Sequence, residues 1–167
     1  LLTLAFSVGP GKWLVAWGMT VSHPRLRLGV VALSMITGPA LIGYGKSVSN
    51  VFCPSEIQRY GGDVPYVRVF KTYSPDQKPN RRGRCFPAGH ASGGFALMST
   101  AVLARTRRGQ LRGVIIGFVA GVVMGTYQML KGAHFLSHTV TTALVCWLVV
   151  LGWVALAQKL NGEKLRI

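Results

Sequence analysis

Lys131 to Ala157 reads KGAHFLSHTVTTALVCWLVVLGWVALA. The first eight residues hold a lysine and two histidines, His134 and His138, and the 19 from Thr139 onward carry no charge. A helix needs about 20 mostly apolar residues to cross a bilayer. The stretch therefore predicts a membrane span with a polar, histidine-bearing cluster at its entrance. The same logic predicts spans at Leu28 to Tyr44 and Gly113 to Leu130, both free of charge. Ala91 to Ala104 is uncharged but only 14 residues long, a weaker candidate. Leu1 to Val21 is apolar but broken by Gly9-Pro10-Gly11-Lys12; it reads as one broken span or as the tail of one helix and the head of another, and not as a signal peptide, since no basic segment precedes it. No stretch alternates long enough for a sheet. The expected fold is all-α: an integral membrane helical bundle of about five to six transmembrane helices with one long extracytoplasmic loop, forming a single domain over 1–167. Gly93, Gly94, Gly117, Gly121 and Gly125 suit close packing of helices in lipid.

Composition agrees with a membrane location. Half the residues are apolar and 14% are charged, against roughly 25% in soluble domains. The charge is lopsided: 19 Lys/Arg face only Glu56, Asp63, Asp76 and Glu163, for a net +15. Such a charge invites a nucleic-acid reading, but the basic residues are spread over membrane loops without a compact basic fold. A transporter would need polar groups within its spans, and these hold little beyond Ser34, Thr37 and Thr142.

Short loops rich in Lys and Arg stay in the cytoplasm. His23 to Arg27, Arg105 to Arg112 and the tail with Lys159, Lys164 and Arg166 fall on one side if the spans alternate. Three polar clusters then share the other side: Lys46 to Pro54, Cys85 to Ser92 and Lys131 to His138. The loop between the first two is itself basic, but long loops cross despite their charge. Its charge suits an anionic substrate. Cys53 and Cys85 lie in this loop, where an oxidising compartment allows them to pair; the alternative is two free thiols. Cys146 falls within the last span and reads as a buried apolar residue.

The clusters suggest chemistry. His90 follows Pro87-Ala88-Gly89 and opens an apolar helix, where free backbone N–H groups attract anions. Glycine there lets a ligand approach the backbone. His134 and His138 are four residues apart and share a helix face. A neutral histidine can attack phosphorus to give a phosphohistidine. The same spacing fits a pair of zinc ligands, although almost no carboxylate lies near. Lys46 ends a span, where lysine either snorkels to the interface or clamps a phosphate.

Lys46-x6-Cys53-Pro54, Pro87-Ala88-Gly89-His90 and Tyr127-Gln128-x5-His134-x3-His138 resemble the three motifs of the type 2 phosphatidic acid phosphatase superfamily. That pattern is Lys-x6-Arg-Pro, Pro-Ser-Gly-His and Ser-Arg-x5-His-x3-Asp. Lys46, Pro54, Pro87, Gly89, His90 and His134 match it. Cys53, Ala88, Tyr127, Gln128 and His138 depart from it. The resemblance implies a bundle of six transmembrane helices, so the first is expected to be missing or incomplete here. It implies that His134 is the nucleophile and His90 the general acid, with His138 in the orienting position and no metal or cofactor. The phosphate would lie against Lys46, Ala88, Gly89 and Gln128. Lys131, Arg84 or Arg82 would compensate for the two missing arginines, whose bidentate grip neither Cys nor Gln reproduces.

The resemblance further implies a phosphorylated membrane lipid as substrate: undecaprenyl diphosphate, phosphatidylglycerol phosphate, phosphatidic acid or a lipid A phosphate. The expected setting is a bacterial inner membrane, with the site facing the periplasm. Transfer of phosphate to a second lipid and a catalytically silent lipid-phosphate binder are the alternatives. A pairing of one neutral with one protonated histidine predicts activity in the ordinary histidine range, roughly pH 6 to 7.

Overall fold

The computed structural model describes residues 24–69 and 71–161. The interrupted segment Leu1–Val21 and the end of the basic tail lie outside them. The elements are α1 (Pro24–Ser49), α2 (Gly89–Ala96) running on as a 3-10 helix (Leu97–Leu103), α3 (Arg107–Leu130) and α4 (Leu136–Asn161). There is no strand among the described residues beyond a single bridge between Ile57 and Val64. α1, α3 and α4 are long and apolar enough to cross a membrane. Their outer faces carry large apolar side chains, with Ile36, Ile116, Val123 and Leu148 all more than 60% exposed. Such surfaces suit lipid better than water.

The segment that looked too short for a span forms the centre of the bundle. α2 and its 3-10 continuation pack against α1, α3 and α4, whereas α3 and α4 meet each other sparingly. Ala91, Phe95, Ala101 and Val102 are almost fully buried. Height is gained by tighter winding: eight α residues and seven 3-10 residues rise about 26 Å, against about 22 Å for an all-α segment. The run from Arg27 to Lys46 along α1 rises about 28 Å. One end of the central rod lies beside Lys46 and the other beside Arg27, so both cover nearly the same height.

Arg27 departs from its expected place in a solvated cytoplasmic loop. α1 begins at Pro24, and Arg27 is 5% exposed inside it. Its Nη1 donates to Val102 O at 2.6 Å and reaches Ala104 O at 3.5 Å. The end of a 3-10 helix leaves carbonyls without partners, and a buried guanidinium satisfies them. At the turn into α3, Thr106 Oγ1 accepts from Gly109 N at 3.2 Å and caps the helix.

Glycines allow α3 to lie on the rod. Gly113, Gly117, Gly121 and Gly125 recur every four residues on its buried face. A Cβ on Gly117 would strike the Met98 backbone, and one on Gly121 would strike the Phe95 ring. Gly94 on the rod faces the Gly121 backbone just as closely. Gly93 is the exception to the packing expectation: nothing lies within 4 Å of its Cβ position.

The loop joining α1 to α2 holds short 3-10 turns at Pro54–Glu56, Gln58–Tyr60 and Pro75–Gln77. Gly61, with φ +90°, closes the second. Phe52, Ile57 and Val64 bury together against Tyr73 and Phe135. The Cys53–Cys85 disulfide ties the loop's ends. Ser55 N donates to Gly132 O at 3.0 Å, anchoring the loop to the turn before α4.

Candidate active site

Three segments distant in sequence meet at one end of the bundle. Lys46 stands in the last turn of α1. Its Nζ lies 3.3 Å from where a Cβ on Gly89 would sit, so the ammonium covers the start of α2. Pro87 packs on Gly45, at 3.0 Å from that glycine's Cβ position. Ala88 N donates to His138 O at 3.4 Å. Thr142 Oγ1 bridges the same two elements, bonding Ala88 O at 3.1 Å and His138 O at 2.9 Å. The start of α2 is therefore fixed against both α1 and α4.

No side chain caps α2: the N-cap is Ala88, which has no oxygen to offer. The family pattern has serine there. The first-turn N–H groups, those of Gly89 and His90 among them, remain available to an anion and add the positive end of the helix dipole. His90 is exposed at this turn.

His134 sits in the turn between α3 and α4, 5% exposed. Burial lowers its pKa from 6.5 to about 4, helped by the positive charges of Lys46 and His90 and opposed by a hydrogen bond with the Cys85 backbone. Desolvation disfavours the imidazolium, and nearby cations disfavour it further. The imidazole is thus neutral from about pH 4 upward, well below the range the sequence suggested. Its Nδ1 lies 3.5 Å from Cys85 Sγ.

His138 is 2% exposed, between the rings of Phe86 and Phe135 at 5.2 and 5.3 Å. Its ring centroid is 5.7 Å from that of His134. Its Nδ1 is buried with no hydrogen-bond partner among the described residues.

The other expected contacts fare differently. Lys131 places its ammonium over the Tyr127 ring, 5.4 Å from the centroid. Arg82 donates to Val48 O at 3.2 Å. Arg84 is exposed beside Cys85, and Gln128 is half-buried with its carbonyl bonded to Ala133 N at 2.9 Å. Cys53, at the first arginine position, is held in the disulfide. No described contact brings a guanidinium to His134.

Two participants escaped the sequence reading. Thr142 continues the His134, His138 spacing by four more residues, a visible signal. The closeness of Cys85 to both histidines gave none, since 49 residues separate it from His134. Cys85 Sγ and one nitrogen of each histidine lie within 4.8 Å of one another, a grouping able to hold a metal if the sulfur were free.

The family model described as PAP2 superfamily matches residues 13–161. No curated protein and no solved structure matches the chain.

Proposed function

The chain belongs to the PAP2 superfamily, a family of phosphatases, and from that premise we propose that it removes phosphate from a lipid phosphate or lipid diphosphate at the surface of a membrane. The observation that carries this reading is the meeting of Lys46, Gly89 and His134 at one bundle end: the ammonium covers the start of α2 and adds to burial in lowering the histidine's pKa.

In the proposed reaction, neutral His134 attacks phosphorus in line. Lys46 and the first-turn amides of α2 take up charge on the equatorial oxygens, the contribution that usually dominates such transfers. Protonated His90 gives its proton to the departing oxygen. Water then cleaves the phosphohistidine, with His90 accepting a proton in return. With neither family arginine in place, Lys46 and the uncapped helix start carry the anion. His138, in place of aspartate, packs beside the nucleophile without lending it negative charge. None of these steps calls for a metal.

Beside the end of α1, a cavity of about 450 Å³ is lined by Arg68, Lys71 and Lys78. This favours headgroups with further negative charge; undecaprenyl diphosphate, phosphatidylglycerol phosphate and lipid A phosphates fit better than phosphatidic acid. The basic cytoplasmic ends and the disulfide favour a periplasm-facing site in a bacterial inner membrane.

The test is phosphate release by the purified protein in detergent over a panel of these lipids, with EDTA present, beside His134→Ala. Release that the variant abolishes supports a metal-independent lipid phosphatase. Release that persists in the variant removes His134 as nucleophile. Binding without release points to transfer onto an absent acceptor lipid or to a silent binder.

A further inference from the structure

The Cys53–Cys85 disulfide stands against the back of the histidine pair. Cys85 is fully buried, with its Sγ 3.5 Å from His134 Nδ1. Tetrahedral zinc, with bonds near 2.3 Å to sulfur and 2.05 Å to nitrogen, holds adjacent S and N ligands about 3.6 Å apart. That spacing already exists between these two atoms. His138 supplies a third ligand within the same 4.8 Å grouping. Its buried Nδ1 has no partner among the described residues, and a buried polar atom left unpaired is unfavourable unless something binds it. Thiolate plus two imidazoles is a donor set suited to zinc, with a fourth position left for water.

We infer that, once a thiol or phosphine reduces the Cys53–Cys85 disulfide, Cys85 Sγ, His134 and His138 form a site for a zinc-like divalent cation whose occupancy silences His134. Reduction by two thiols yields the Cys53 and Cys85 thiols and one external disulfide; a phosphine with one water yields the same two thiols and the phosphine oxide. The metal then displaces the Cys85 thiol proton to solvent and forms the sulfur–metal bond. In the metal-free protein Ala133 O, 2.7 Å from Sγ, is the competing acceptor for that proton.

Silencing follows from the ring's single lone pair. A neutral imidazole has one protonated and one free nitrogen. A metal on Nδ1 forces the proton onto Nε2, so the nitrogen that would face phosphorus loses its lone pair. The intact disulfide withholds the sulfur, keeping the nucleophile from soft cations. This last step rests on the phosphatase reading; the metal site does not.

Cobalt(II) titration tests the site directly, since a thiolate ligand adds a charge-transfer band to the tetrahedral cobalt spectrum. Cys53→Ser, which frees Cys85 without any reductant, and parent protein reduced with a phosphine should both bind one cobalt per chain with that band, displaceable by zinc. Oxidised parent and Cys85→Ser should lack the band, and His138→Ala in the Cys53→Ser background should bind at least 10-fold more weakly. If neither Cys53→Ser nor the phosphine-reduced parent shows the band, or if His138→Ala leaves affinity unchanged, the site is overturned. Zinc should also stop lipid phosphate release in the reduced parent and EDTA restore it; zinc-bound protein that still turns over overturns the silencing. Cobalt binding by a chain that hydrolyses no lipid would leave the site standing and remove the phosphatase reading.

Discussion

Lys46 Nζ lies 3.3 Å from the Cβ position of Gly89, and only a hydrogen at residue 89 lets the ammonium cover the helix start unhindered. The atom met is the free end of a flexible side chain, so Gly89→Ala should leave the fold intact while moving the charge aside. The expected outcome is an unchanged thermal midpoint with a reduced kcat/KM. Lys46→Ala should lower kcat on the order of 10²–10³-fold, the worth of one charge-stabilising donor in a transition state. Lipid phosphate release together with unfolding in detergent checks both. A Gly89→Ala protein that loses stability and activity together would mean that residue 89 acts on the fold alone.

The glycine face of α3 should tolerate no added carbon. Gly117→Ala drives a methyl into the Met98 backbone, and overpacking of this kind costs about 1–3 kcal/mol. Gly93→Ala meets open space and should be neutral or stabilising by up to about 1 kcal/mol, as expected for a glycine in a helix. Reversible unfolding in mixed detergent separates the two. Equal effects would remove the close approach of α3 to the central rod.

Arg27 should matter for stability where Arg25 does not. Arg27→Met strands the buried carbonyl of Val102, at about 1–3 kcal/mol for an unsatisfied buried group, while Ala104 O keeps Gln110 Nε2 at 3.3 Å. Arg25 is exposed in the same turn, so Arg25→Met should stay within about 0.5 kcal/mol. The same unfolding assay reads both.

These contrasts show what was legible in the sequence. The uncharged runs located α1, α3 and α4, because lipid permits so few charges that their absence is itself a signal. The limits of α1 were less legible: Arg27 looks like a loop residue until a carbonyl is found to receive it, and Lys46, read at the end of a span, stands within the helix's last turn. The central rod looked too short because residue count assumes α-helical rise, and its 3-10 half covers more height per residue. The lysine, Pro-Ala-Gly-His and histidine clusters were legible as motifs, and the bundle does bring Lys46, Gly89 and His134 together. The surroundings of the histidines were not legible: that Cys85 backs His134, and that Phe86 and Phe135 enclose His138, depends on how distant segments pack.

The shift of His134 gives a pH signature. Its pKa is lowered from 6.5 to about 4 in the folded chain, so between those values the unfolded chain binds more protons than the folded one. Stability should therefore be fully present above about pH 6.5 and fall as pH drops toward 4. The proposed nucleophile stays neutral through that window, so loss of activity on acidification should not follow a histidine titrating at 6.5. Proton NMR of the oxidised, metal-free protein reads the ionisation directly. The chain has four histidines, and the signal missing from His134→Gln assigns the one of interest. A midpoint near 4 is expected; a midpoint at 6 to 7 would mean that water reaches the ring freely and that the cations of Lys46 and His90 do not bear on it.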